Sequence, residues 1–289
     1  MKIAVFGHKG WIASYILPYF LKEGIEVIYD EHLRADDPVG VEEFIQKEKP
    51  THLLSLLGRT HGPGFPNIDY LEQPGKLYEN LRDNLYAPLL LSQMARTYNC
   101  HYTYLGTGCI YNMDNPPDYS FTENDLPNFT GSAYSVVKGF TDLLMRNEPN
   151  TLCLRIRLPV TDTHHPRNFI TKLVKFQKIC SVPNSLSVLP TLVPYMIDMM
   201  KKKIIGVINF TNPGYISHEE IMELYKLYVD SGTTWEVTTV DSLSKVQAAR
   251  RCNNTLDTTE LQSLYPMVLS VKDAVIKAIC TMGKLEEMA

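Results

Sequence analysis

The sequence predicts an α/β fold: a doubly wound parallel sheet with helices on both faces, followed by a smaller C-terminal lobe. Three observations predict it. Through residues 2–157, short apolar runs alternate with longer amphipathic stretches, as βαβ units require. A glycine-containing turn joins the first apolar run directly to the first amphipathic stretch. After residue 158 the rhythm loosens and prolines recur at 159, 166, 183, 190, 194 and 213.

Taken in order, residues 2–7 read as a buried strand and residues 11–22 as a helix, with Gly24 as its stop signal. Residues 26–30 are a second strand, 39–49 a helix that ends at Pro50, and 52–58 a third strand. Residues 70–98 hold one or two helices, 101–106 a strand, 132–146 a helix and 151–157 a strand. Beyond 158, helices are expected near 168–178, 191–202, 217–229 and 271–282, with a short strand at 207–211. The organisation expected is a nucleotide-binding domain over 1–158 and a mainly substrate-binding lobe over 159–289. Some crossing of the chain between the two is expected, and the ligand cleft falls between them.

Bulk properties exclude several classes. The 289 residues suffice for one large domain or a domain with an appended lobe. With 44% hydrophobic and 21% charged residues, a packed core is expected. A net charge of -4 argues against non-specific binding of nucleic acid or anionic membrane. The six cysteines are dispersed and form no C-x-x-C pair, so no metal site is expected and reduced thiols of a cytoplasmic protein fit. The N-terminal apolar run breaks at Gly7, too soon for a secretory signal, and no stretch is long enough to cross a bilayer.

The turn Gly7-His8-Lys9-Gly10-Trp11-Ile12-Ala13 has the spacing G-x-x-G-x-x-A between a strand and a helix. Gly7 permits the turn, Gly10 lets backbone approach a pyrophosphate, and the helix start at Trp11 and Ile12 turns free N–H groups toward it. This is the dinucleotide-binding arrangement of a Rossmann domain. Gly58, at the end of the third strand, completes the expected cofactor shell. Asp30 ends the second strand, where an acid binds the ribose 2′-hydroxyl of NAD. His8, Lys9 and Arg34 are suited instead to the 2′-phosphate of NADP. Three bases against one acid favour NADPH, with NADH the alternative; all four also read as solvated surface charges.

Tyr134 and Lys138 stand four residues apart on one face of an expected helix. An ammonium near a phenol favours the phenolate, bringing the tyrosine toward use as an acid or base. Thr107, at the end of the preceding strand, can hydrogen-bond the same carbonyl. Cys109 follows two residues later, at the C-terminal edge of the sheet. It reads equally as a reactive thiol or as a small buried hydrophobe.

Read together, these segments resemble the C-terminal half of plant UDP-rhamnose synthases and their stand-alone relatives, the UDP-4-keto-6-deoxyglucose 3,5-epimerase/4-reductases. The motifs are Gly10-Trp11-Ile12, Thr107-Gly108-Cys109-Ile110, Pro127 through Ser132, Tyr134 through Lys138 and Leu154 through Pro159. They continue in Pro166 through Lys172, Pro183-Asn184-Ser185, Asn209 through Gly214 and Arg251-Cys252-Asn253-Asn254. They span nearly the whole chain. Two positions depart from the family pattern: Asp30, and Arg250 where proline is expected.

The resemblance implies a bifunctional enzyme that epimerises C3 and C5 of UDP-4-keto-6-deoxyglucose and reduces C4 with NADPH. Thr107 and Tyr134 would stabilise the enolate oxygen, and Cys109 would serve one face of the sugar. Lys172 or Lys175 would serve the other; with Asn168 they fall at i, i+4 and i+7 of one helix, and Lys175 is preferred. Both lysines read alternatively as cations that bind the diphosphate. Lys138 would hold the nicotinamide ribose. Asn84 is a candidate proton-relay residue, and Asn128, Arg167, Asn168, Asn184 and Arg251 the substrate shell. A separate 4,6-dehydratase would supply the keto-sugar, and a homodimer through residues 70–98 and 132–146 is expected by analogy of fold. Two rivals stand beside this reading. A reductase without epimerase activity has no use for Cys109; an NADPH-binding regulator has no need of Tyr134 and Lys138.

Overall fold

Six parallel strands form the central sheet in the order β2-β1-β3-β4-β5-β7. The computed structural model describes residues 1–112, 119–239, 242 and 248–287. The strands are β1 (Lys2–Phe6), β2 (Glu26–Ile28), β3 (His52–Ser55), β4 (His101–Thr107), β5 (Thr151–Ile156) and β7 (Gly206–Asn209). Their side chains explain the continuous apolar runs. Ile3 and Val5 of β1 enter one core layer, while Ala4 and Phe6 enter the other, as the two-residue period of a strand buried on both faces demands.

Helices α1 (Trp11–Lys22) and α7 (Leu189–Lys201) cover the first face with Ile16, Phe20, Leu192, Met196 and Met199. Helices α2 (Pro38–Glu48), α4 (Ala87–Thr97) and α5 (Ala133–Met145) cover the second with Val41, Ile45, Leu91, Ala95 and Met145. The chain runs outward from β1 to β2, then returns to β3 on the other side of β1. That reversal opens a crevice at the C-terminal ends of β1 and β3, where open α/β sheets bind ligands.

Beyond residue 158 the chain builds a second core and returns to the main one twice. Helix α6 (Phe169–Leu173) enters a second core with Val160, Leu186 and Ile170. Helix α7 and strand β7 then rejoin the main sheet, β7 pairing with β5 through Cys153 and Val207. The second core is completed by α8 (His218–Tyr228) and the last helix, α10 (Val271–Glu287), through Ile221, Met222, Val275 and Ile279. A two-stranded parallel sheet joins β6 (Lys178–Ile179) to β8 (Glu236–Val237). Helix α9 (Thr259–Leu264) returns Leu261 to the main core. Among the described residues, no helix is long and apolar enough to cross a membrane.

Two expected elements differ. The helix expected over 168–178 ends at Leu173. Ile179 is buried in the second core and the adjoining backbone pairs with β8, so tertiary packing overrides helical spacing. The long segment 70–98 becomes a 3-10 turn (Ile68–Glu72), helix α3 (Leu77–Leu81), a π-helical turn (Arg82–Tyr86) and α4.

Candidate active site

The turn after β1 forms at the required place. Gly7 has φ +91, and a Cβ there would stand 2.9 Å from the Leu56 carbonyl carbon. Only glycine fits so close to the neighbouring strand's backbone. The Gly10 amide donates to the Gly7 carbonyl at 3.0 Å, and α1 begins at Trp11 with Ala13 buried beneath it. A groove of about 510 Å³ opens over this turn, lined by Gly7, His8, Lys9, Gly10, Asp30, Arg34 and Gly58. Arg167 lines this groove and a smaller adjoining cleft with Trp11, His61 and His165. Trp11 stacks on His165 at 5.4 Å between ring centroids, and Ile12 leans on the core.

The groove's charges are more evenly matched than the sequence suggested. Glu31, unremarked in the sequence, accepts from Lys9 Nζ at 3.1 Å on its carboxylate and at 2.6 Å on its carbonyl. It also faces His8, whose ring stacks on Tyr29. Arg34 pairs with Asp36 at 2.8 Å. The Asp30 carboxylate accepts from the amides of His32 at 2.7 Å and Leu33 at 3.0 Å, bonds that hold it below the usual carboxylate range. It caps the turn after β2.

At the C-terminal end of β4 the sheet brings Thr107 and Cys109 beside Tyr134. The Gly108 amide donates to the Ile156 carbonyl at 2.9 Å, continuing the pairing with β5. The Cys109 amide then donates to Thr107 Oγ1 at 3.1 Å. Ser132 caps α5 by accepting from the Ser135 amide, which fixes Tyr134 in the first turn. Tyr134 and Cys109 share a small apolar cluster with Phe65, Ile68, Tyr70 and Leu71.

Lys138 is buried, but its ammonium donates to the Tyr104 hydroxyl and lies 4.5 Å over the Tyr104 ring. Burial lowers it to about 8. Burial also raises the Tyr134 phenol, helped by negative charge at Cys109 and opposed by Thr107. The lowering of Tyr134 expected from Lys138 is therefore not seen. Tyr134 is a buried, protonated hydroxyl, and Lys138 lies one turn deeper against β4.

A feature missed in the sequence stands behind Cys109. Arg157, just beyond β5, is 1% exposed. Its Nη1 lies 3.6 Å from Cys109 Sγ and 3.3 Å from Cys252 Sγ. Its Nη2 donates to Asn184 Oδ1 and, at 2.8 Å, to the Cys252 carbonyl. Leu158 follows with φ +40, turning the chain away once Arg157 is in place. Arg155 is the structural counterpart, donating to Asp142 of α5 from Nε and Nη2 at 2.8 Å each. The signal was present: two arginines two residues apart on an otherwise apolar strand share a buried face.

Several expected site residues serve the fold instead. Asn84 is fully buried, accepts from the Arg59 amide at 3.0 Å and donates to its carbonyl at 3.1 Å. Asn168 caps α6 and donates to the carbonyls of Thr161 and Thr163. Asn184 takes Arg157 and the Asn254 amide on its oxygen and donates to Val182 and Asn253. In this structure all three amides hydrogen-bond protein groups. Asn128 is exposed and ties its loop to Asn112. Arg251 Nη2 donates to Asp69 at 3.1 Å, and its Nη1 is buried with no partner among the described residues. The Arg250 amide donates to the Gly131 carbonyl at 3.1 Å, a bond the expected proline would lack.

The two candidate lysines differ in setting. Lys175 is exposed, beyond the end of α6. Lys172 is half-buried and lowered, first by burial and then by the cations of Arg167 and Arg251. Lys172 thus feels two further cations, of which Arg251 is paired with Asp69. Among the described residues no cluster of three or more His, Cys, Asp or Glu side chains is placed to hold a metal ion.

Residues 3–174 match the NAD dependent epimerase/dehydratase family. The chain is 47% identical over 286 residues to protein L780 of Acanthamoeba polyphaga mimivirus, covering 98% of this chain and 99% of that one. The crystal structure of L780, described as a UDP-rhamnose synthase, superposes with a TM-score of 0.94 over 98% of this chain and 99% of that one. The bifunctional dTDP-4-dehydrorhamnose 3,5-epimerase/dTDP-4-dehydrorhamnose reductase of Arabidopsis thaliana is 36% identical over 289 residues, covering 98% of this chain and 94% of that protein. A trifunctional UDP-glucose 4,6-dehydratase/UDP-4-keto-6-deoxy-D-glucose 3,5-epimerase/UDP-4-keto-L-rhamnose-reductase of the same plant is 37% identical, and the match covers 96% of this chain and 41% of that protein. With this family match over more than half of its length and relatives 36–47% identical over nearly all of it, the chain belongs to the NAD dependent epimerase/dehydratase family.

Proposed function

We propose that the protein is a 3,5-epimerase and 4-reductase that converts UDP-4-keto-6-deoxyglucose to UDP-L-rhamnose. The observation that carries this reading is the convergence of Thr107, Cys109 and Tyr134 at the C-terminal edge of β4, the thiol backed by a buried arginine. A reductase needs only the threonine and tyrosine; the thiol adds a group that can remove a proton from carbon.

The glycine turn fits a dinucleotide, with the start of α1 for its pyrophosphate, Arg167 beside it and Lys138 for the nicotinamide ribose. When bound, the reduced nicotinamide supplies the hydride that C4 receives. NADPH is the favoured form. The Asp30 carboxylate is already committed to two amides, while Lys9 and Arg34 are largely exposed and able to turn toward a 2′-phosphate. Replacing both with alanine should lower kcat/KM for NADPH about tenfold, the loss of roughly 1.4 kcal/mol of charge pairing. The value for NADH should change little.

The chain's own groups divide the work. The protons at C3 and C5 are acidic because each is α to the C4 ketone. Cys109, as thiolate, removes one: the C–H bond breaks, an S–H bond forms, and the electron pair moves onto the ketone oxygen. The Thr107 and Tyr134 hydroxyls donate to that oxygen. Lys172 returns a proton to the opposite face, breaking its N–H bond and becoming an amine; exchange with solvent resets the pair. Tyr134 protonates the C4 oxygen during reduction, which suits a phenol that burial keeps protonated.

Two associations complete the proposal. The trifunctional relative carries a 4,6-dehydratase activity, and an activity of that class supplies the keto-sugar. Leu77, Tyr78 and Leu81 of α3 and Phe140 and Leu144 of α5 are exposed apolar side chains on neighbouring helices, a face suited to a second copy of this chain. Sedimentation velocity should give a dimer for the protein and a monomer for Phe140→Glu.

The experiment that tests the function is incubation of the protein with UDP-4-keto-6-deoxyglucose and NADPH, with the product identified by NMR. UDP-L-rhamnose supports the reading. A product reduced at C4 with C3 and C5 unchanged reduces it to a reductase, and failure to oxidise NADPH removes it.

A further inference from the structure

We propose that His165, stacked on Trp11 at the start of α1, is a positioning residue that holds Arg167 over the glycine turn to take the pyrophosphate of the dinucleotide. The inference rests on the dinucleotide-binding reading of that turn and deepens it.

The placement of Arg167 opens the argument. Arg167 lines both the groove over the glycine turn and the smaller cleft beside α1, and the residues common to the two openings with it are Lys9, Gly10 and His61. It therefore stands at the first turn of α1, where free backbone amides favour an anion. Lys9 is already held by Glu31. Among the described residues no carboxylate pairs with Arg167, and burial draws it below its ordinary range. His61 Nδ1 is likewise buried with no partner among the described residues. A guanidinium without a counter-charge, beside the start of a helix, is matched to a ligand with adjacent acidic oxygens, as a pyrophosphate has.

The loop that carries Arg167 is tied to α1 at two points. Asp162 accepts from the Tyr15 hydroxyl at 2.6 Å. Farther along, the His165 ring lies on Trp11, with 5.4 Å between centroids and 13° between planes. The same ring holds Arg167: its Nδ1 accepts from the Arg167 amide at 3.0 Å. Pro166, between them, has its φ fixed by its own ring. Burial, then the cations of Arg167 and Lys172, keep the imidazole below its ordinary range, so Nδ1 retains the lone pair this bond needs. The His165 carbonyl accepts from the Asn168 amide at 2.9 Å, and Asn168 Nδ2 reaches back to the carbonyls of Thr161 and Thr163. The loop is thus closed on itself, and the Trp11 ring sets where Arg167 begins.

The test is a binding cycle read by isothermal titration calorimetry without sugar, on the unmodified protein, His165→Ala, Arg167→Ala and the double variant, with NADPH and with NADH. Arg167→Ala should raise Kd roughly 10- to 100-fold, the worth of hydrogen bonds to a charged group. His165→Ala should raise it about tenfold, and the double variant should bind no more weakly than Arg167→Ala, because His165 acts through Arg167. The factors should be alike for both dinucleotides, since both carry the pyrophosphate. His165→Asn, whose side chain accepts from the amide two residues on, should bind more tightly than His165→Ala. Unchanged binding in His165→Ala, losses that multiply in the double variant, a loss confined to NADPH, or no gain in His165→Asn each overturn the proposal. Both side chains are only half-buried, so the variants leave the core intact; if His165→Ala does not fold, His165→Leu replaces it in the cycle. An unmodified protein that binds neither dinucleotide overturns the cofactor reading and this proposal together, whereas tight binding with any of the four results above overturns this proposal alone.

Discussion

The two reactive hydroxyl and thiol groups at the end of β4 and the start of α5 differ in what they must do, and their surroundings differ accordingly. Tyr134 is kept protonated by burial, whereas Cys109 faces a fixed cation. Their substitutions should therefore separate the two reactions. Cys109→Ser should slow isotope exchange at the sugar carbons by about 10²-fold or more, the range for loss of an acid–base group. Tyr134→Phe should slow NADPH oxidation by a similar factor and exchange by less, since Thr107 still donates to the enolate oxygen. Measuring both rates on both variants checks this, and parallel loss in each would contradict it. At this scale the sequence pointed to the proposed reacting residues and concealed their supports. Thr107, Cys109, Tyr134 and Lys138 were legible because their spacing has a chemical reason. Arg157 and Cys252 were not, since neither spacing nor type distinguishes an arginine that meets sulfur from one that meets a carboxylate, as Arg155 does. The capping role of Asn168 was not legible either, since a buried amide that caps α6 looks, in sequence, like one that awaits a ligand.

Among the elements, α5 has the most to hold, since it carries Tyr134 and Lys138 at one end and Asp142 at the other. The Asp142 carboxylate grips the Arg155 guanidinium of β5 with two bonds of 2.8 Å. The same guanidinium reaches the carbonyls of Thr122 and Glu123, so one ion pair ties helix, strand and loop together. Asp142→Leu should cost about 3–5 kcal/mol by urea unfolding, because it strands a buried cation. Adding Arg155→Met should recover most of that loss, and a double variant as unstable as the single would contradict it. The strands of the main sheet were legible from their apolar runs because both faces are buried. Helix α6 was not: the i, i+4, i+7 pattern of Asn168, Lys172 and Lys175 is real in sequence, but burial of Ile179 and its pairing toward β8 stop the helix at Leu173. That early stop leaves Lys175 in solvent and Lys172 beside Arg167 and Arg251.

For the whole molecule, acid sensitivity follows from its buried histidines. His52 and His218 are each lowered to about 4 by burial, from an ordinary 6.5. Because the folded value lies below the unfolded one, their contribution to stability is complete above pH 6.5. It is lost as the pH falls toward 4, where the unfolded chain has taken up protons that the folded chain refuses. The urea midpoint should therefore fall across that window, and His52→Gln should flatten part of the fall; a midpoint unchanged from pH 7 to 4 would contradict it. The doubly wound topology was legible from strand–helix alternation. The return of α7 and β7 to the main sheet after residue 158 was not, because nothing local marks which sheet edge a short strand will join. The account as a whole turns on whether carbon–hydrogen bonds at C3 and C5 are broken before C4 is reduced. The direct measurement is to run the reaction with UDP-4-keto-6-deoxyglucose and NADPH in deuterium oxide and locate the label in the product. Deuterium at both C3 and C5 of a rhamnose-configured product is the result this account predicts; a C4-reduced sugar with hydrogen retained at both carbons would contradict it.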